Sequence, residues 1–201
     1  MEGNNIFIEE NFLLRQAARR QLKGNWGSVV LLCLIYSALS GLPMAIDNLG
    51  SIVSFLISGA LTLGLVSCFI KLVRNGTFQF ENLFDGFKNF FSALILQFLI
   101  GLFTFLWSLL LIVPGIIACY RYAMAFYILS DHPQMSAKAA LDASKRMMIG
   151  YKWKLFCLHF SFIGWAFLAI LTFGIGFLWL IPYMKASQAN FYESLRRVSK
   201  I

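Results

Sequence analysis

The sequence predicts an all-α fold: a polytopic membrane helix bundle of six transmembrane helices. They form three hairpins with tight outer turns, with cytoplasmic termini and short cytoplasmic interfacial helices. Three observations lead there. Of 201 residues, 59% are hydrophobic and only 13% are charged, where a soluble domain carries about a quarter. The apolar residues come in long runs, and between Lys88 and Asp131 only Arg121 bears a formal charge. Runs of ~20 such residues are what a helix needs to cross a bilayer. The cations, finally, keep to one set of loops and leave the alternate turns bare. The whole chain, 1–201, reads as a single integral membrane domain.

The elements follow in order. The opening MEGNNIFIEENFLLRQ is acidic and polar, then basic, without the apolar core or small-residue cleavage site of a secretory signal. The first apolar segment is therefore expected to remain as a span, at about 27–46, with the second at about 50–72. The run from Phe90 to Ser130 would extend about 60 Å as one helix, too long for one crossing. Pro114-Gly115 near its middle both stops a helix and permits a turn, giving spans at about 89–112 and 115–131. The sequence TFGIG at 172–176 divides the last run likewise, into spans at about 153–172 and 176–195. The sixth turns polar from Lys185 onward.

Fifteen of the seventeen lysines and arginines lie before span one, between spans two and three, between four and five, or at the C-terminus. The turns at 43–50, 112–116 and 172–176 hold none. The positive-inside rule then places both termini and every basic loop in the cytoplasm. One long helix over 155–181 would carry the basic tail outside, against that rule. Trp26 and Trp153 fall at cytoplasmic span ends and Trp107 and Trp179 toward outer ends, as aromatic belts do. Trp165 fits neither belt and is expected inside the bundle. Cys33, Cys68, Cys119 and Cys157 all lie in apolar segments with no C-x-x-C pair, and read as small packing residues in a reduced state.

A faint repeat links QAARRQLKGNW (16–26) with DASKRMMIGYKW (142–153): Ala17 matches Ala143, Arg20 matches Arg146, and Gly24 matches Gly150. Each looks like a short amphipathic helix closed by a C-terminal glycine, with cations in its last turn. Asp142 stands four residues before Arg146, the favourable order for a helical ion pair. FENLFDGFKNFF, with Gly86, is a comparable middle copy without the basic face. Arg15, Arg19, Arg20, Lys145 and Arg146 are candidates for contact with the membrane surface and anionic lipid headgroups, with Leu141 and Met148 dipping into the acyl boundary. The lipid bilayer is the expected partner, and no nucleic acid is.

Motifs for catalysis are missing. There is no G-x-x-x-x-G-K-[ST] loop for nucleotide phosphates. His132 and His159 stand in different segments without carboxylate or cysteine at ligand spacing, so no metal and no cofactor are expected. His132 is expected in solvent and His159 hydrogen-bonded within the bundle. No serine has a histidine placed to activate it, and catalytic residues are not expected. Ser51, Ser54, Ser58, Ala60 and Gly64 recur at helical spacing in span two, the pattern of close helix packing in a membrane.

Arg121 and Lys185 are the exceptions to the cation pattern. If spans four and six start outside at Gly115 and Gly176, Arg121 lies ~9 Å and Lys185 ~13 Å into the membrane. An unpaired charge there costs at least ~2.5 kcal/mol, so each should face the bundle interior or a wet cavity, or snorkel. Three arrangements satisfy Arg121. It snorkels or binds carbonyls freed near Pro114; it forms a latch with a carboxylate; or it centres a site for an anionic ligand, with Tyr120, Tyr122 and Lys185. Asp47, Asp131 and Glu193 are the carboxylates within plausible reach. Arginine would offer oxygens a planar fork, lysine a mobile point charge.

PGIIACYRYAMAFYILSDHP, SAKAALDASKRMMIGYKWKLF and SFIGWAFLAILTFGIGFLWLIPYMKASQANFY, with LRQAARRQLKGNW before them, resemble a bacterial multi-pass membrane family. It is the one catalogued as domain of unknown function 975. More distantly, the Pro-Gly turn and the Ser…Gly-x-x-W pattern resemble the membrane region attached to some glycerophosphodiester phosphodiesterases. The family implies a multi-pass protein of a bacterial cytoplasmic membrane; the distant likeness implies a lipid-related setting. Lys185 departs from the family's usual neutral polar residue, whereas Arg121 stands on the shared motif. The expected role is non-enzymatic binding or movement of an anionic amphipathic molecule, a lipid or a membrane-active peptide. The alternative is an interaction or immunity-type protein that protects or regulates a membrane partner.

Overall fold

The computed structural model describes residues 8–42 and 48–199, and among these every regular element is helical. The chain runs through α1 (Asn11–Leu22), α2 (Trp26–Gly41), α3 (Asn48–Asn75), a 3-10 helix (Phe80–Asn89), α4 (Phe90–Leu110), α5 (Ile112–Tyr122) and α6 (Ala125–Asp131). It continues with α7 (Ala137–Met147), α8 (Lys152–Phe160), α9 (Ile163–Leu171) and α10 (Phe177–Ser199).

Among the described residues, four helical stretches are long and apolar enough to cross a bilayer: Gly50–Asn75, Phe80–Leu109, Val113–Asp131 and Lys152–Leu171. A fifth qualifies only as the pair α1 and α2, bent by 98°. Such a corner suits a helix lying at the membrane surface and leading into a span. The expected sixth span falls in α10, which is not among these, because its second half carries Lys185, Ser187, Gln188, Asn190, Glu193 and Ser194.

The turn between α4 and α5 comes earlier than the Pro-Gly pair suggests. Leu111 alone breaks the helix, with extended φ −164° and ψ 149°. Pro114 then sits in the first turn of α5, where its missing N–H belongs to no intrahelical bond. Gly115 lets the hairpin close, because a Cβ there would run into Ser108 of α4. The α9–α10 turn uses Phe173 and Gly174 at φ 53° and 86°. It is pinned by Thr172, whose Oγ1 donates to the Ala169 carbonyl at 2.8 Å and accepts from Gly176 N–H at 3.0 Å.

The returning helices divide into two halves. Residues in the first half of each, such as Ile52, Phe55, Ile116, Ile117, Trp179 and Ile181, are exposed. From Gly59 in α3, Tyr122 at the end of α5 and Ala186 in α10, the same helices are almost wholly enclosed. The exposed halves present apolar side chains of the kind that suits hydrocarbon. The enclosed halves form a protein core with α1, the 3-10 helix and α7, which pack chiefly on α10, α3 and α6 respectively.

The two glycine-closed basic helices are present. Gly24 (φ 91°) and Gly150 (φ 80°) take the left-handed conformation after α1 and α7, and Ser136 caps α7 by accepting from Ala139 N–H. Their apolar faces, however, do not wait for lipid. Leu14, Ala18 and Leu22 of α1, and Leu141 beside Met148 after α7, are buried in the protein core. Leu141 and Met148, expected in the acyl boundary, are thus taken by tertiary packing, which offers the same burial without a membrane. The Ala60 and Gly64 pattern does serve close packing, against the 3-10 helix: a Cβ on Gly64 would fall on the Leu83 carbonyl, and one on Gly86 on the Ala60 carbonyl. Trp165, expected inside the bundle, is 50% exposed. All four cysteines are free, with Cys33 and Cys68 buried.

Candidate functional site

Arg121 is half-buried near the end of α5, at the level where the chain passes from exposed to enclosed. Its backbone is anchored, since Ser144 Oγ of α7 donates to the Arg121 carbonyl at 3.0 Å. Its side chain borders two hollows. Toward the α4–α5 turn lies an apolar pocket of about 160 Å³ between the two helices, lined also by Trp107, Pro114, Ile117 and Ala118. Toward α7 and α8 lies a polar cleft of about 370 Å³, lined also by Asp142, Lys145, Arg146, Ile149 and Lys152. Four cations thus face one carboxylate across the cleft. Among the described residues no ion pair engages Arg121.

That one carboxylate is already held. Asp142 pairs with Lys145 at 2.7 Å and not with Arg146, and the Lys145 ammonium bonded to it keeps its carboxyl below the usual range. Lys145 is fixed for a second reason, its ammonium standing 5.7 Å from the Phe103 ring centre and 5.9 Å from that of Tyr122. Arg146, one residue on, is left exposed toward the cleft.

Tyr120 and Tyr122 do not flank a common ligand position. Tyr122 is buried and packs on Phe103 of α4. Tyr120 turns to α8, with its hydroxyl 3.3 Å from His159 Nδ1 and its ring against Phe156. This gives His159 the bundle hydrogen bond expected of it. Lys185 lines neither hollow; its electrostatic neighbours are Cys33 and His159. Arg121 and Lys185 therefore do not form one centre.

The carboxylates expected near Arg121 are engaged elsewhere. Arg74 at the end of α3 donates from Nη1 and Nη2 to the two Asp131 oxygens, at 2.9 and 2.6 Å, and from Nε to Glu193 at 2.7 Å. Tyr192 and Arg196 also donate to Asp131, at 2.8 and 3.1 Å. A fork that satisfies both oxygens of one carboxylate and reaches a second has no lysine equivalent. Asp131 and Glu193 are thus corrected from partners of Arg121 to parts of an ionic cluster around Arg74, and Asp47 lies outside the described residues. The sequence signal was incomplete: Glu193 and Arg196 share helical spacing, but nothing near Arg74 in the chain announces an acid. Among the described residues, no three histidine, cysteine, aspartate or glutamate side chains gather as a metal-binding set.

Arg15, Arg19 and Arg20 lie on α1, away from the Arg121 hollows. Arg15 is half-buried and Arg19 and Arg20 are exposed, with Arg19 stationed 5.6 Å from the Tyr183 ring centre.

The chain matches the family described as protein of unknown function (DUF975), over residues 9–119 and 109–199. No curated protein and no solved structure matches it.

Proposed function

The chain belongs to the DUF975 family, whose description names no activity, and from its own geometry we propose that it binds an anionic amphiphile, without catalysis, at the Arg121 hollow. The supporting observation is that a single arginine borders both an apolar pocket and a cationic cleft. An amphiphile needs that juxtaposition. Its phosphate or carboxylate would meet the Arg121 fork, with Arg146 and Lys152 nearby, while its chain lies along Trp107, Pro114, Ile117 and Ala118. A lipid is favoured because Leu109, Val113 and Ile116 beside the apolar pocket are exposed, so a chain enters from surrounding hydrocarbon.

A direct test retains or loses lipid. Purified protein, stripped of lipid and returned to vesicles containing phosphatidylglycerol, is expected to hold that lipid through native mass spectrometry. A charge-assisted hydrogen bond is worth ~1.5–3 kcal/mol, so Arg121→Gln should weaken retention about tenfold or more. Arg121→Lys should be intermediate. Equal retention by parent and Arg121→Gln would overturn the assignment.

The same proposal includes a six-span course in the cytoplasmic membrane with both termini inside, supported by the cation distribution. In a variant lacking Cys33, Cys68, Cys119 and Cys157, a cysteine at 48 should react with an impermeant thiol reagent on intact cells, and one at 199 should not. Reaction at 199 in sealed cells would replace six spans by five.

A further inference from the structure

A second cavity lies between the α9–α10 hairpin and the corner of α1 and α2. It measures about 410 Å³ and is walled by Trp26, Trp165, Trp179, Leu180 and Tyr183, with Arg19 among its lining residues. Besides Arg19, its lining carries the Thr172 hydroxyl, already engaged by the Ala169 carbonyl and the Gly176 N–H, the Tyr183 hydroxyl and three indole N–H groups on large apolar rings. The wall is otherwise apolar, and a few ring-borne donors cannot satisfy the successive N–H and C=O groups of a peptide backbone, which are costly to leave unmet. A hydrocarbon chain carries no such requirement. We propose that this cavity is a second, separate site for an anionic phospholipid, holding one acyl chain among Trp26, Trp165 and Trp179 and the phosphate at Arg19.

An internal correspondence supports it independently of lining chemistry. Shifted by 61 residues, Ser108, Gly115 and Tyr122 of the α4–α5 hairpin coincide with Ala169, Gly176 and Tyr183 of α9–α10. The contacts coincide as well. A Cβ on Gly115 would strike Ser108, and one on Gly176 would strike Ala169. Above each tyrosine stands a cation from a glycine-closed basic helix: Lys145 of α7 over Tyr122 and Arg19 of α1 over Tyr183. Lys145 and Arg19 are themselves equivalent in the 126-residue repeat of those helices. Each hairpin therefore meets a basic helix at the same height, with an open hollow beside the junction. In the α2–α3 hairpin, Leu61 replaces the tyrosine, and the 3-10 helix closes on α3 through Gly64 and Gly86. Two of the three hairpins thus set a tyrosine beneath a cation.

The second site stands on residues separate from those of the Arg121 hollow, so the two can fail independently. The full chain is placed in phosphatidylcholine vesicles containing brominated phosphatidylglycerol or brominated phosphatidylcholine, and tryptophan quenching is read. One reporter keeps Trp26, Trp165 and Trp179, with Trp107→Phe and Trp153→Phe. The other keeps only Trp107, beside the Arg121 hollow. In the first reporter the anionic lipid should quench with an apparent affinity about five-fold above phosphatidylcholine, the equivalent of the ~1 kcal/mol of one cation at an anionic surface. Arg19→Gln should reduce that ratio to near one, Arg19→Lys should retain most of it, and Arg121→Gln should leave it unchanged. Because Arg19 is exposed, the thermal midpoint of Arg19→Gln should match the parent's. Equal quenching by both lipids in the parent, a ratio that survives Arg19→Gln, or one lost in Arg121→Gln would each overturn the second site. Failure confined to the Trp107 reporter would instead overturn the Arg121 site.

Discussion

Replacing Arg74 with methionine is expected to lower stability by about 3–5 kcal/mol, the cost of leaving buried carboxylates without their partner. One guanidinium holds both acids, and the Asp131 and Glu193 side chains are only 8% and 10% exposed. Asp131 would keep Tyr192 and Arg196, whereas Glu193 would retain only Arg196, at 4.0 Å. Glu193 is therefore the group that makes the single change so damaging. Neutralising the cluster as a unit, with Arg74→Met, Asp131→Asn and Glu193→Gln together, should recover much of the loss. Thermal unfolding in detergent measures both. If the triple variant is no more stable than Arg74→Met alone, the damage comes from lost packing of the arginine and not from stranded charge.

Gly64→Ala and Gly86→Ala should each destabilise the protein at the upper end of the ~1–3 kcal/mol usual for overpacking. Ordinarily a side chain yields to an added methyl group. Here the new Cβ meets backbone, the Leu83 carbonyl in one case and the Ala60 carbonyl in the other. Relief requires the 3-10 helix to lift from α3, which opens the interface carrying the Lys71–Asp85 ion pair at 3.1 Å. Gly101→Ala is the control, because nothing lies within 4 Å of a Cβ there. Alanine is also the better helix former in the middle of α4, so that variant should unfold at or above the parent's midpoint. Equal effects at all three glycines would mean that helix propensity, and not the α3 interface, governs the response.

Much of the secondary structure was legible in the residues. The glycines at 24 and 150 end α1 and α7 in the left-handed conformation their positions implied. Pro114 signalled a hairpin but not its place: a proline is accommodated in a helix's first turn, so the break moved to Leu111. Trp165 was misplaced for a different reason. Its position inside an apolar segment says nothing about which side of the helix it occupies, and it faces the second cavity. Leu141 and Met148 show the same ambiguity in reverse, since an amphipathic helix of this kind suits a membrane surface and a protein core equally well.

By itself the sequence determined that the chain is helical, that several of its helices suit a bilayer, and that Arg121 is an unusual charge. These are properties of continuous segments, set by hydropathy, by helical period and by the backbone freedom of single glycines. Tertiary structure alone decided who meets whom. Arg74 binds Asp131 and Glu193 from 57 and 119 residues away, and Arg19 reaches Tyr183 from the other end of the chain. The same packing engaged the carboxylates within the inner core and left Arg121 between an apolar pocket and a cationic cleft. Which side chains converge depends on how helices distant in sequence pack together, and local residue pattern does not encode that.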